Sequence, residues 1–252
     1  MFARYGEYTK SRGDTTSKNF LRVIVDPNDA SVDIVAVHGL NPFNTEFHAE
    51  KTWTAHSDSG SGAMWLRDFL PQQLPNARVL LFGYNSNVAF EASILGVHEQ
   101  ASNLLNRLTL KRRDVANRPI IFVAHSLGGI IVKQALVETK LNTAYQEIGT
   151  STYGIAFFGI PHQGSDKAGL GDIAAAVTRA VRRDVSNSLM ESLKKDTLFS
   201  NELIENFKHQ LEDRQIISFF ETKPYKKHSL RLGLDASRIC HLFPVKRGGL
   251  DQ

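Results

Sequence analysis

The residue types best suited to chemistry gather around Ser126, in the run Ile120-Ile121-Phe122-Val123-Ala124-His125-Ser126-Leu127-Gly128-Gly129. The apolar, β-branched half of that run reads as a buried parallel strand. Past the serine, Ile130, Ile131, Gln134, Ala135 and Leu136 fall into a helical pattern. A serine at the apex of strand, tight turn and helix is a nucleophile elbow, which lifts a hydroxyl clear of a sheet for attack on an acyl carbon. Its backbone must occupy a sparsely allowed conformation, tolerable only where flanking side chains are tiny. Ala124 before it and Gly128 after it meet that need, although alanine adds one methyl where glycine is usual. The competing explanation is an ordinary turn whose serine caps the helix.

Acyl transfer also needs backbone N–H groups aimed at the developing oxyanion. One comes from the residue after the nucleophile, here Leu127, and one from a loop after an earlier strand. Val32 to Val37 reads as such a strand, and it delivers His38-Gly39-Leu40-Asn41-Pro42. That order lets Leu40 supply the second amide, and Gly39 permits the sharp turn. His38 precedes the serine, whereas the base in this architecture follows it, so His38 reads as a side chain that orders the loop. Tyr153 to Ser165 is a further strand with its exit loop.

With these segments in view, the chain resembles the serine esterases of the α/β-hydrolase superfamily. This is the lipase-like domain of serine-active-site-containing proteins, also found at the N-terminus of fungal receptor proteins with NACHT domains and ankyrin repeats. The matching stretches are Val37 to Leu40, Trp65 to Pro71, Leu81 to Asn85, Phe122 to Gly129, Phe157 to Ser165 and Ser218 to Thr222. The resemblance implies an α/β-hydrolase fold, a mostly parallel sheet flanked by helices. It also implies an esterase- or lipase-like activity on carboxylic esters with Ser126 as nucleophile, no cofactor, and a part in lipid handling near the endoplasmic reticulum or mitochondria.

The triad order on this fold is serine, acid, histidine. Gln215 to Phe220 reads as a buried strand ending at Glu221, which fits the acid by position and by the family motif; Asp166 is the reserve. The acid would hold the histidine tautomer and stabilise the imidazolium. In the family a helix, a final strand and a loop with an Asp-His pair follow the acid. Here Lys227 to Leu234 matches the segment before that strand, and then the match stops, so a truncated C-terminus is the expectation. His241 is the histidine nearest the expected place, with His228 as fallback. Only 31 residues follow Glu221, and the strand-like run Arg238 to Phe243 carries His241 within it. A side chain there points to a sheet face, so the expectation is a weak catalyst, or a non-catalytic module that binds a ligand or partner.

The 252 residues suffice for one sizeable α/β domain, expected over residues 19–252 behind a disordered tail of residues 1–18. Hydrophobic residues at 42% and charged residues at 22% suggest neither disorder nor a fibrous class. A single cysteine, Cys240, precludes an intramolecular disulfide and fits a reducing, intracellular and cytoplasmic setting. The net charge of +4 allows at most a weak peripheral pull toward anionic membrane surfaces. No basic stripe interleaved with aromatics points to nucleic acid, and no apolar run is long enough for a membrane span. The partner expected is a small-molecule or lipid ester; nothing in the sequence fixes an oligomeric state.

Leu21 to Val25 reads as an edge strand and Ala77 to Phe82 as a buried one, and the latter exits through Gly83-Tyr84-Asn85-Ser86. Asn44 to Gly62 reads as a long irregular loop with His48 and His56 exposed. Trp53 and Trp65 could wall an acyl pocket, although Trp65 shares a helical period with Leu66, Phe69 and Leu70 and fits the core. Ile94, Leu95, Ala101, Leu104, Leu105 and Leu108 form one helical stripe, with His98 on its polar face. Residues 161–215 carry no strand signal and are expected to form a helical cap, with Phe199, Leu203, Phe207 and Leu211 at helical spacing. There is no phosphate loop, no H-E-x-x-H metal motif, and no metal-ligand spacing.

Overall fold

β-branched runs bounded by turn residues become six strands, β1 (Phe20–Val25), β2 (Val32–Val37), β3 (Ala77–Gly83), β4 (Ile120–His125), β5 (Thr152–Phe158) and β6 (Gln215–Phe219). The computed structural model describes residues 19–41, 45–55, 62–86, 93–159, 203, 205–210 and 214–219. The strands form one sheet in the order β1-β3-β2-β4-β5-β6. β1 runs antiparallel to β3, and every other pair is parallel. This is the α/β-hydrolase fold expected above. β1 also carries a register shift between Val23 and Val25, a bulge of the kind that blunts an exposed sheet edge.

Alternation along the strands sends side chains to two separate cores. Val35, Val37, Leu80, Phe82, Phe122, Ala124, Ile155 and Phe157 face one side. There they meet α4 (Ser93–Lys111) and α5 (Leu127–Leu141), and Leu104, Leu105, Leu108, Ile131 and Leu136 pack among them. The buried positions of α4, Val97, Ala101, Leu104, Leu105 and Leu108, recur every three or four residues, so the helix lays one apolar stripe on the sheet. Leu203 and Phe207, from the segment expected to form a cap, join this core, and Phe207 meets the Phe157 ring edge-on at 6.4 Å. Ile34, Ala36, Val79, Leu81, Val123, Ala156 and Phe158 face the other side, against Trp53, Met64, Trp65, Leu66 and Leu70. Each fully buried Val, Leu, Ile, Phe or Met among them contributes about 1.5–3 kcal/mol.

The stretch expected to be an irregular loop contains α1 (His48–Thr52), and Thr54 pairs with Met64 in an isolated antiparallel bridge. The period through Trp65 and Leu70 is broken into α2 (Trp65–Asp68) and α3 (Leu70–Gln73), which leaves Phe69 40% exposed at the break. Pro71 explains it, because proline is tolerated at the start of a helix and not inside one. Trp53 is fully buried and packs on Trp65, Phe158 and His125. A short α6 (Gln146–Ser151) before β5 had no signal, because it buries only Ile148 and Gly149. His98, expected on a polar face, lies 3.2 Å from Glu138 of α5, in a network completed by Ser102 and Gln134.

The amino-terminal foot of the sheet is tied by one carboxylate. Asp33 on β2 has no exposed surface, and it accepts two hydrogen bonds of 2.8 Å from Arg78 of β3. It also accepts one of 3.2 Å from Arg118 and another from Arg112, which is itself fully buried. Arg112 donates in addition to the Ala116 and Arg118 carbonyls and so closes the α4–β4 connection. Burial alone would push the Asp33 carboxyl up; the bonds and charges of Arg78, Arg112 and Arg118 win and hold it below the usual carboxylate range. Removing one partner of a buried pair leaves an uncompensated charge, at a cost of about 3–5 kcal/mol. Asp33→Asn is therefore expected to lower unfolding stability by that much in urea titrations. Arg22→Ala, which breaks the exposed pair with Glu50, should lower it by less than about 1 kcal/mol.

Candidate active site

Ser126 stands where β4 ends, with φ 49° and ψ −122°, one of two described non-glycine residues with positive φ. The residue is 8% exposed. Its amide donates to the Phe158 carbonyl of β5 (2.9 Å), and its own carbonyl accepts from Gly129 (3.0 Å). Ser126 occupies the cap position of α5, yet its side chain makes no cap hydrogen bond. The serine-as-cap explanation therefore fails: the hydroxyl does not cap the helix it precedes.

Two glycines show how closely the neighbouring segments approach. A Cβ on Gly128 would lie 2.4 Å from the His38 carbonyl oxygen and 2.5 Å from that of Val37, so the start of α5 rests on the end of β2. A Cβ on Gly39 would lie 2.8 Å from His125 Nδ1 and 3.0 Å from Ser126 Cβ, so the loop after β2 lies directly against the elbow. Backbone oxygens leave no room for a side chain at Gly128, and one at Gly39 would force His125 or Ser126 to shift. Leu127 opens α5, so its amide points out of the helix start with no helix carbonyl one turn back.

The loop from His38 to Asn41 is gripped peptide by peptide. Tyr84 donates its hydroxyl to the His38 carbonyl (3.0 Å) and its amide to His38 Nε2 (3.2 Å). His38 Nδ1 donates to the Gly39 carbonyl (2.7 Å), which fixes the tautomer with the proton on Nδ1. In a trans peptide the C=O and N–H point in opposite directions. A Gly39 carbonyl held by His38 therefore turns the Leu40 amide the other way. The Asn41 amide donates to Ser86 Oγ (2.7 Å). His38 is thus a loop-ordering residue, as its place before the serine suggested. Tyr84 and Ser86 were missed in this role, and the only signal was their place at the carboxyl end of β3, where α/β sheets build sites.

Imidazoles crowd this corner. His38 stacks on Tyr84 at 4.3 Å and meets His48 edge-on at 5.2 Å. His48 is not an exposed loop residue as expected: it opens α1, half-buried against His38, because the turn at Phe47 folds the chain back. Burial, helped by the nearby His48, pushes the His38 pKa down to about 3 and that of His125 to about 4. Burial lowers His48 as well. Among the described residues no group of three or more His, Cys, Asp or Glu could hold a metal ion. No described helix is long and apolar enough to cross a membrane.

Leu40, Ser126 and Leu127 are therefore brought to one corner at the carboxyl ends of β2 and β4. Glu221, His241, the alternatives Asp166 and His228, residues 1–18 and His56 lie outside the described residues, as does the expected cap except for 203, 205–210, 214 and 215.

The family described as "Putative serine esterase (DUF676)" matches residues 32–165. Among curated relatives, protein SERAC1 of Danio rerio is 30% identical over 168 residues, covering 64% of this chain and 24% of that protein. Protein SERAC1 of Homo sapiens is 26% identical over 239 residues, 86% of this chain and 33% of that protein. The chain thus spans about a quarter to a third of the length of these relatives. Among solved structures, a lipase-esterase related protein from Clostridium acetobutylicum superposes with a TM-score of 0.42 at 14% identity, over 89% of this chain and 98% of that one. A hydrolase from Oleispira antarctica gives 0.39 at 12%, over 90% and 83%.

The neutral imidazoles make a pH prediction. A histidine depressed in the folded state leaves the unfolded chain to bind the proton first as pH falls below about 6.5. Stability present above that pH should therefore be lost toward pH 4, by up to about 1.4 kcal/mol per pH unit for each such histidine. Denaturant midpoints between pH 7 and 4.5 would show the slope, and His125→Phe should flatten it by about one histidine's share.

Proposed function

Because this chain belongs to the serine esterase family DUF676, we propose that it is a carboxylic-ester hydrolase, lipase-like in taking lipid or other acyl esters. The observation that carries this reading is the strained, uncapped Ser126 with the Gly39 loop packed against it. Such strain is kept only where surrounding structure over-determines it, and it concentrates at functional sites. Ser126 Oγ attacks the ester carbonyl carbon while a histidine takes its proton. The carbonyl oxygen becomes an oxyanion facing the Leu40 and Leu127 amides. Collapse breaks the bond to the alcohol, which leaves with the histidine's proton. Water, activated by the same histidine, then releases the acid and frees the serine.

In this scheme His241 is the base and Glu221 the acid that orients it, and residues 161–215 shield an apolar acyl site from water. The resemblance and chain order support Glu221; His241 is supported by chain order alone. A second reading, a ligand- or partner-binding module with an impaired triad, is favoured by the position of His241 within the strand-like run Arg238 to Phe243.

A fluorophosphonate probe separates the two, since only an activated serine reacts quickly. The unmodified chain is expected to label at Ser126 and to hydrolyse medium-chain esters faster than acetyl esters, and Ser126→Ala to do neither. Gly39→Ala should slow labelling by roughly 10-fold or more, because the added methyl would displace an oxyanion donor, whose full removal costs about 10²–10³ in rate. Folded protein that stays unlabelled would favour the binding module.

A further inference from the structure

The imidazole of His125 has no part in the scheme above, although it is next in sequence to Ser126. It ends β4, the strand that lies between β2 and β5 in the sheet. Val37 is level with Ala124 and Phe158 with His125, so both neighbouring strands end beside this ring. The chain leaves β2 along one edge of it and β5 along the other, and a glycine stands at each place. A Cβ on Gly39 would lie 2.8 Å from Nδ1. A Cβ on Gly159 would lie 3.8 Å from Nε2 and 4.0 Å from Cδ2, on the opposite edge. Gly159 has φ 63°, and its amide donates to the Phe219 carbonyl of β6 (3.0 Å). One ring therefore fills the gap between the two exits.

Packing holds this ring. Nδ1 is buried and has no hydrogen-bond partner among the described residues, so what the ring supplies at the Gly39 edge is volume. Trp53, fully buried, backs it edge-on at 6.5 Å, and Trp53 rests in turn on Trp65 and Phe158. A close-packed interior passes a change of volume on to its neighbours. Burial also keeps the ring neutral, so it brings no charge that would draw water between the exits. We infer that His125 is a positioning residue whose ring is the spacer between the exits of β2 and β5, holding the Gly39–Leu40 turn against Ser126. A misplacement of about 1 Å at an oxyanion donor can cost roughly 100-fold in rate. The effect on rate rests on the esterase reading, but the spacing itself does not.

The test uses the full chain with His125→Ala, which empties the gap, and His125→Phe, which keeps a ring there without its nitrogens. In ester hydrolysis His125→Ala is expected to lower kcat by roughly 10- to 100-fold, less than the loss of a donor outright. KM should stay within about threefold, and His125→Phe should recover most of the rate. Equal losses in the two variants would overturn the spacer, since a ring nitrogen would then be what matters. Gly39→Ala gives a second measure, because residues in contact are not additive. Its cost in labelling should fall from roughly 10-fold in the unmodified chain to about threefold in His125→Ala, where Ser126 Cβ at 3.0 Å is the obstacle that remains. The same cost in both backgrounds would overturn the contact. Hydrogen exchange needs no activity, and the bonded amides of Asn41 and Gly159 report on the two sides of the gap. Both should quicken by about 10-fold or more in His125→Ala and return toward the unmodified value in His125→Phe. The Asp33 amide, bonded to the Pro119 carbonyl at the foot of the sheet, should stay within about threefold. One of the pair quickening without the other, or all three amides behaving alike, would overturn the spacer. If the unmodified chain neither hydrolyses esters nor labels at Ser126, the esterase reading fails by itself, and the exchange result still decides the spacer.

Discussion

A single backbone unit, the positive-φ turn at Ser126, sets the terms for everything around it. A non-glycine residue held there costs on the order of 1–3 kcal/mol, and the surroundings must hold it in place. They do so from both adjacent strands. The Phe158 carbonyl of β5 takes the serine amide, and the end of β2 comes so near α5 that Gly128 has no room for a methyl. The parallel register between β2, β4 and β5 is what brings these three strand ends level. Remove the close approach at Gly128 and the helix could not start where it does; the elbow would relax into an ordinary turn.

The two ends of the sheet solve opposite electrostatic problems. At the carboxyl end the polar groups are imidazoles kept neutral by burial, and the His38 proton is committed to the Gly39 carbonyl of the loop it supports. A neutral, water-poor corner of this kind strengthens any hydrogen bond to a developing negative charge. At the amino end the groups are fully charged, and one carboxylate faces three guanidinium groups. Placed beside Ser126, such charges would either screen an oxyanion site or draw water into it. The fold keeps them apart by the full length of the strands.

Much of the frame could be read from the sequence because periodicity records burial. The six strands were visible as apolar runs, and the α4 stripe and the α5 start as patterns of period 3.6. The elbow was visible because only small residues fit beside it. Other features left no such trace. His48 looked like a loop histidine, since a five-residue helix that buries only Ala49 and Thr52 carries too little pattern to be seen. Tyr84 and Ser86 act through hydrogen bonds to a loop some 45 residues away, and pairings at that distance have no local signature. Phe69 was misjudged because it shared the apolar period of its neighbours, while Pro71 ended that period two residues later.

The carboxylate at the foot of the sheet has a bearing on how the chain acquires its shape. Asp33 meets partners 45, 79 and 85 residues further along, from β3, the end of α4 and the entry to β4. Such contacts form only after long loops have closed, and until then the buried positions offer a charge no counter-charge. A half-built sheet that has withdrawn Asp33 from water without its arginines is therefore penalised, as is one that has withdrawn Arg112 alone. Partly assembled forms are raised in free energy relative to both ends of the reaction, and that is what makes a transition all-or-none. Docking of β2, β3 and β4 is thus coupled into one event, and the level strand ends on which the elbow depends arrive together.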